Sequence, residues 1–202
     1  MDVYVESNFV LELAFSQEQH ESCNRIIELS ENGKTQLILP AYSIVEPYET
    51  MLRHAKKRTE VSIDLAAQVK QLSRSKPYQD EIDALQKVTG LLVRSLDEEK
   101  ESFRNTVNKL LAVSQIIPLD AKTFVNAGKY QTDNALSFQD SIVYASVLSH
   151  LSTSTSTAKC FLNRNSKDFD DPDIEETLNS HGCKMLFSFE QGYRYISSQL
   201  RA

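Results

Sequence analysis

The chain has 202 residues, 41% apolar and 25% charged, a composition ordinary for one globular domain and sufficient for a sizeable buried core. A formal charge of −6 argues against general electrostatic binding to nucleic acid, so any contact with it must be local. The cysteines Cys23, Cys160 and Cys183 form no CxxC pair, which excludes a disulfide framework and a zinc site. A reduced, cytoplasmic compartment fits that usage. The N-terminus carries no basic segment followed by an apolar run, and no stretch reaches transmembrane length, so no signal peptide or membrane contact is expected.

In chain order, short apolar runs alternate with long helical patterns. The runs are Val3-Tyr4-Val5, Leu37-Ile38-Leu39 before Pro40, Ile116-Ile117 before Pro118, Cys160-Phe161-Leu162 and Met185-Leu186-Phe187. Each is too short for a helix and apolar on both faces, as buried parallel strands are. Helical spacing runs from Phe9 to about Glu31, stopped by Asn32-Gly33, then from Ser43 to about Arg74 and from Tyr78 to about Val113. Two amphipathic stretches follow, Phe138 to Leu151 and Phe189 to Leu200. The polar run from Ser152 to Thr157 reads as an exposed loop. This order predicts an α/β three-layer sandwich with a mostly parallel central sheet of about five strands. Residues about 55–113 hold two helices with no strand between them, which reads as a helical hairpin inserted into a single domain spanning 1–202.

In such sheets ligands bind at the carboxyl ends of the strands. Just past the first strand stands Glu6-Ser7-Asn8, past the second Glu46, and past the fourth Asn163 to Asp168. Asp140 opens the 138–151 helix and shares a face with Val143, Tyr144 and Val147, so it needs a polar partner. Crowded carboxylates raise one another's pKa. A hard divalent cation such as Mg2+ or Mn2+ prefers oxygen ligands and removes that penalty. It can also activate water for attack on a phosphodiester.

Four motifs resemble those of the PIN-domain ribonucleases, including the VapC-like members. Val3 to Leu11, with Glu6-Ser7-Asn8, is similar to the opening strand, Asp-Thr-Asn and apolar helix; Leu39 to Glu46 is similar to the second motif, whose acid is Glu. Leu136 to Val143 is similar to the third, with Asp140 at a helix start, and Phe161 to Phe169 to the fourth, with Asn165 and Asp168-Phe169. They occur in the family's order between residue 3 and about residue 187. The resemblance implies a metal-dependent endoribonuclease leaving 5′-phosphate ends. Glu6, Glu46, Asp140 and Asp168 would hold Mg2+ or Mn2+, supported by Ser7, Asn8 and Asn165. It also implies an RNA substrate, an antitoxin protein as partner if the chain is a toxin, and a homodimer. A housekeeping RNA-processing role is equally open. Glu6 stands where Asp is usual and Ser7 where Thr is usual, and the 55–113 hairpin exceeds the small members of the family. The alternative is a catalytically weak PIN scaffold that binds RNA or protein.

Each acid also has a purely structural reading. Glu6 would favour the dipole of a helix capped by Ser7 or Asn8. Ser43-x-x-Glu46 matches a capping box. Asp140 sits in a first helical turn, and Asp168 stands in an acidic run with Asp170, Asp171 and Asp173. The cluster Arg53, His54, Lys56, Lys57 and Arg58 is either a charged helix face or, with Arg164, a local contact to a phosphate backbone.

Overall fold

A computed structural model describes residues 1–201, with the backbone alone at positions 79 and 80. Five short strands, β1 (Asp2–Val5), β2 (Gln36–Pro40), β3 (Ser114–Ile117), β4 (Lys159–Leu162) and β5 (Cys183–Leu186), form one all-parallel sheet in the order β3-β2-β1-β4-β5. β1 lies at the centre, with Tyr4 opposite Ile38 on one side and Phe161 on the other. Val3, Tyr4 and Val5 are all fully buried. A strand covered on both faces has no reason to alternate polar and apolar residues.

The helices are α1 (Ser7–Ala14), α2 (His20–Glu31), α3 (Tyr42–Leu72), α4 (Gln79–Val113), α5 (Ala121–Asp133), α6 (Phe138–Leu151), α7 (Ser166–Phe169), α8 (Pro172–Ser180) and α9 (Phe189–Gln199). On one side of the sheet Tyr4, Ile38 and Phe161 pack with Val143, Tyr144 and Val147 of α6, with Phe169, and with Ile174 and Leu178 of α8. On the other, α9 approaches β4 so closely that a Cβ on Gly192 would stand 2.7 Å from Leu162 Cδ2. The Phe9 ring of α1 meets Phe189 of α9 edge-on at 5.2 Å.

The helix expected from Phe9 to Glu31 is two helices. α1 ends at Ala14 with Phe15 as its C-cap, Ser16 takes a left-handed φ of 48°, and the chain turns into α2. The buried Glu12 carboxylate fixes that turn by accepting the Gln19 N–H at 2.6 Å. Three further helices lie where none was expected. α5 is capped by Asp120, which accepts from the Thr123 N–H, and α8 by Asp171, ahead of Pro172. Such caps are short-range devices that satisfy otherwise orphaned N–H groups. α7 is a single turn.

The chain divides into two compact units, Met1–Pro47 together with the chain from Thr106 onward, and Tyr48–Asn105. The first holds the sheet. The second is the hairpin formed by parts of α3 and α4, joined by a 3-10 turn at Lys76–Tyr78. Within it a series of sheltered positions runs 51, 55, 58, 62, 65, 69 and 72 on α3, and 82, 85, 89, 92, 96, 99 and 103 on α4, with 50, 95 and 102 partly sheltered beside it. The alternating spacing of three and four is the heptad pattern of a coiled coil. The seam is not wholly apolar. Arg58 and Glu99 both occupy it and pair at 2.6 Å, and Ser62 is buried there. All three cysteines are buried and free. Among the described residues no helix is long and apolar enough to cross a membrane.

Candidate active site

Glu6 follows β1 directly, and its backbone leaves the strand in an extended conformation to become the N-cap of α1. Its Oε2 accepts the Asn8 N–H at 2.8 Å, and its Oε1 accepts the Arg164 N–H at 3.3 Å. Asn8 also reaches it through its side chain. The helix cap is therefore Glu6 itself, in place of Ser7 or Asn8. Only 6% of Glu6 is exposed. Burial pushes its carboxyl up to about 7, the hydrogen bonds from Asn8 and Arg164 oppose that rise, and the neighbouring charge of Glu46 adds to it.

Glu46 lies in the first turns of α3, just before Pro47. The buried Ser7 hydroxyl donates to its Oε2 at 2.5 Å. The alternative reading of Ser43-x-x-Glu46, a capping box, lacks its Ser43 half. The helix has already begun at Tyr42, and the buried Ser43 hydroxyl has no hydrogen-bond partner among the described residues.

Asp140 carries two loads. Ser137, the N-cap of α6, donates its hydroxyl to Asp140 Oδ2 at 2.6 Å and accepts the Asp140 N–H at 3.1 Å. The other oxygen, Oδ1, accepts from Asn165 Nδ2 at 3.2 Å. The same amide donates to Asp168 Oδ2 at 2.9 Å. Asn165 thus joins two acids 28 residues apart in sequence, while standing at the N-terminus of α7 without capping it. Asp168 is exposed and Asp140 half-buried.

The structure therefore gathers these residues as linked sets, Glu6 on the Arg164 backbone, Glu46 on Ser7, and Asp140 with Asp168 on Asn165. Three of the four acids hang on two consecutive residues, Arg164 and Asn165, just past β4. Among the described residues no three His, Cys, Asp or Glu side chains stand close enough to form a metal-holding group. The donors themselves are all oxygen, with no His or Cys, which suits Mg2+ or Mn2+ bound through one or two carboxylates and several waters. A carboxyl pushed up to about 7 by burial is also one whose charged form a divalent cation would stabilise.

Of the basic residues, Arg53, Lys56 and Lys57 are exposed on α3, whereas Arg58 is turned into the hairpin seam with Glu99. Arg164 does not extend freely into solvent. Its guanidinium pairs with Glu12 and lies 3.5 Å from Glu18. Glu12 escaped the sequence reading, and Asn163 was given a place past the fourth strand but no role. Glu12 is fully buried, and Asn163, 1% exposed, accepts the Asn165 N–H on its side chain at 2.7 Å. Glu12 had a signal, a lone charge inside the apolar run Phe9-Val10-Leu11-Glu12-Leu13. Asn163 had only its place beside a strand end.

A family model described as a PIN domain matches residues 3–169. No curated protein matches the chain. Among solved structures, the crystal structure of VapBC2 from Rickettsia felis bound to a DNA fragment from their promoter is similar at 12% identity and a TM-score of 0.45, covering 92% of this chain and 99% of that one.

Proposed function

The chain belongs to the PIN-domain family, and from that premise we propose that it is a metal-dependent endoribonuclease using Mg2+ or Mn2+. The observation that carries the reading is the bridging of Asp140 and Asp168 by the Asn165 amide, beside the Arg164 N–H that holds Glu6. An amide spanning two carboxylates is poor economy for folding alone but suits residues that must be held at a fixed spacing. The four acids Glu6, Glu46, Asp140 and Asp168 are the proposed site, one or two of them meeting the cation directly and the others through water. Bound there, the cation would supply Lewis-acid activation of water and of the phosphodiester.

The remaining work falls to the chain. Ser7 donates to Glu46 Oε2 and so orients that carboxylate. Asn8 and the Arg164 backbone each take one oxygen of Glu6 and hold its plane. Ser137 and Asn165 each take one oxygen of Asp140. RNA is the proposed substrate, with Arg53, Lys56 and Lys57 as local phosphate contacts on an otherwise acidic protein. Residues about 55–113 are read as an insertion within one PIN-like domain. A toxin countered by an antitoxin protein and an RNA-processing enzyme both fit this chemistry, as does a homodimer.

The decisive experiment incubates the protein with mixed RNA and Mn2+ and repeats it with Asp140→Asn. Metal-dependent cleavage lost in the variant is expected. Cleavage that survives the substitution, or none with any divalent metal, would overturn the nuclease reading. The second reading, a catalytically weak scaffold that binds RNA or protein, is favoured by one observation. Glu6, longer than the usual Asp, is drawn into helix capping and pushed up to about 7. RNA retention without cleavage in the same experiment would select it.

A further inference from the structure

Glu12 belongs to none of the four motifs, yet it is fully buried. One carboxylate oxygen accepts from Arg164 Nη1 and the other from the Gln19 N–H at 2.6 Å. Arg164 is the residue whose backbone N–H donates to Glu6, and its neighbour Asn165 bridges Asp140 and Asp168. The turn is anchored on its other side by Asn163. The Asn163 N–H donates to the Leu186 carbonyl at 3.0 Å, and its side chain closes on the Asn165 N–H.

We propose that Glu12 is a positioning residue, a buried anion that tethers the Arg164 guanidinium and thereby sets the Asn163-Arg164-Asn165 turn that holds Glu6, Asp140 and Asp168. An ion pair at a core position is a weak device for stability, since apolar residues of similar volume often replace one at no loss. What apolar residues cannot do is pull a strand-end turn into one fixed place through a directional, charge-assisted contact. Partners that orient metal ligands from behind typically change affinity by about 10–100-fold when removed. Arg164 is thereby assigned to holding carboxylates in place, ahead of any contact it makes with phosphate. This inference rests on the metal-dependent reading above.

The test uses the full chain with two readouts. In metal-free protein, NMR amide exchange at Arg164 and Asn165 reports the order of the turn. Titration with Mn2+ alone reports affinity. Glu12→Gln keeps the shape and removes the charge, and is expected to speed exchange at both amides at least tenfold and weaken Mn2+ binding by about tenfold. The pair Glu12→Leu with Arg164→Met removes the tether while leaving an apolar contact. It is expected to lower the melting temperature by no more than the lost Gln19 N–H partner costs, yet lose affinity to the same extent. Unchanged exchange at both amides in Glu12→Gln would overturn the proposal, as would wild-type Mn2+ affinity in either variant. If the wild type takes up no Mn2+, the metal reading fails by itself, and amide exchange still decides whether Glu12 sets the turn.

Discussion

At the scale of single residues, Glu6 and Asn165 carry the most specific consequences. The Glu6 carboxyl is raised from 4.5 to about 7, so the folded chain binds that proton more tightly than the unfolded chain does. The stabilisation this gives is complete below pH 4.5 and is lost as pH rises through 7, amounting to about 3 kcal/mol over the window. Urea unfolding in the presence of a chelator should show wild-type stability falling across that range. Glu6→Gln should abolish the fall, and a slope equal to wild type would refute the assignment. Asn165→Ala removes both donors from Asp140 and Asp168 while leaving the α7 cap untouched, since that side chain makes no cap bond. Mn2+ affinity should drop by about tenfold or more, with a melting temperature within about 4 °C of wild type. Calorimetry of both properties separates a role at the site from a role in the fold.

Individual elements were legible in proportion to how local their causes are. β1, β2 and β4 announce themselves as apolar runs, because a strand covered on both faces has nothing polar to show. α5 and α8 were missed because their first turns are set by single caps, Asp120 and Asp171, whose hydrogen bonds leave little periodic trace. The division of α1 from α2 turns on Ser16, a non-glycine residue at positive φ, which sequence offers no means to foresee. The hairpin is the element with the clearest energetic test. Arg58 and Glu99 share the seam with side chains 31% and 26% exposed. Arg58→Ala should therefore cost only about 1–2 kcal/mol, by leaving Glu99 without its partner in a half-buried place. Replacing both with leucine should recover that loss, and a double-mutant cycle in urea measures it. A double variant as unstable as the single one would show that the pair contributes more than register.

For the whole molecule, the two units are stabilised to different depths. The sheet unit buries large side chains on both faces, among them Tyr4, Phe9, Phe161, Phe169 and Phe189. The hairpin unit buries few, Met51, Val69, Ile82 and Phe103, with Thr89 and Ser62 diluting the seam. Hydrogen exchange should therefore open amides of residues 55–72 and 82–100 at lower free energy than those of β1 and β4. Equal protection in both would mean that the hairpin draws stability from elsewhere in the molecule. At the other extreme, Gly192→Ala would force a methyl group to 2.7 Å from Leu162. A cost of about 1–3 kcal/mol is expected, as for other overpacked cores, with thermal unfolding as the measure.

The order of the strands, the place of Glu6 after β1 and of Asp168 past β4, and the family to which the chain belongs were written in the sequence, because apolar runs and strand-end chemistry are local properties. What only the tertiary structure decided is which groups share one another. That Glu46 answers to Ser7 instead of a helix cap, that one amide serves Asp140 and Asp168, and that a buried Glu12 holds the turn between them are contacts across 25 to 152 residues of chain. Such contacts arise from the packing of one element on another, a quantity that no local pattern contains. The Glu6 carboxyl shows the difference most plainly. Its identity and place after β1 can be read from seven letters, but its rise to about 7 comes from the burial that the folded sheet and its helices impose.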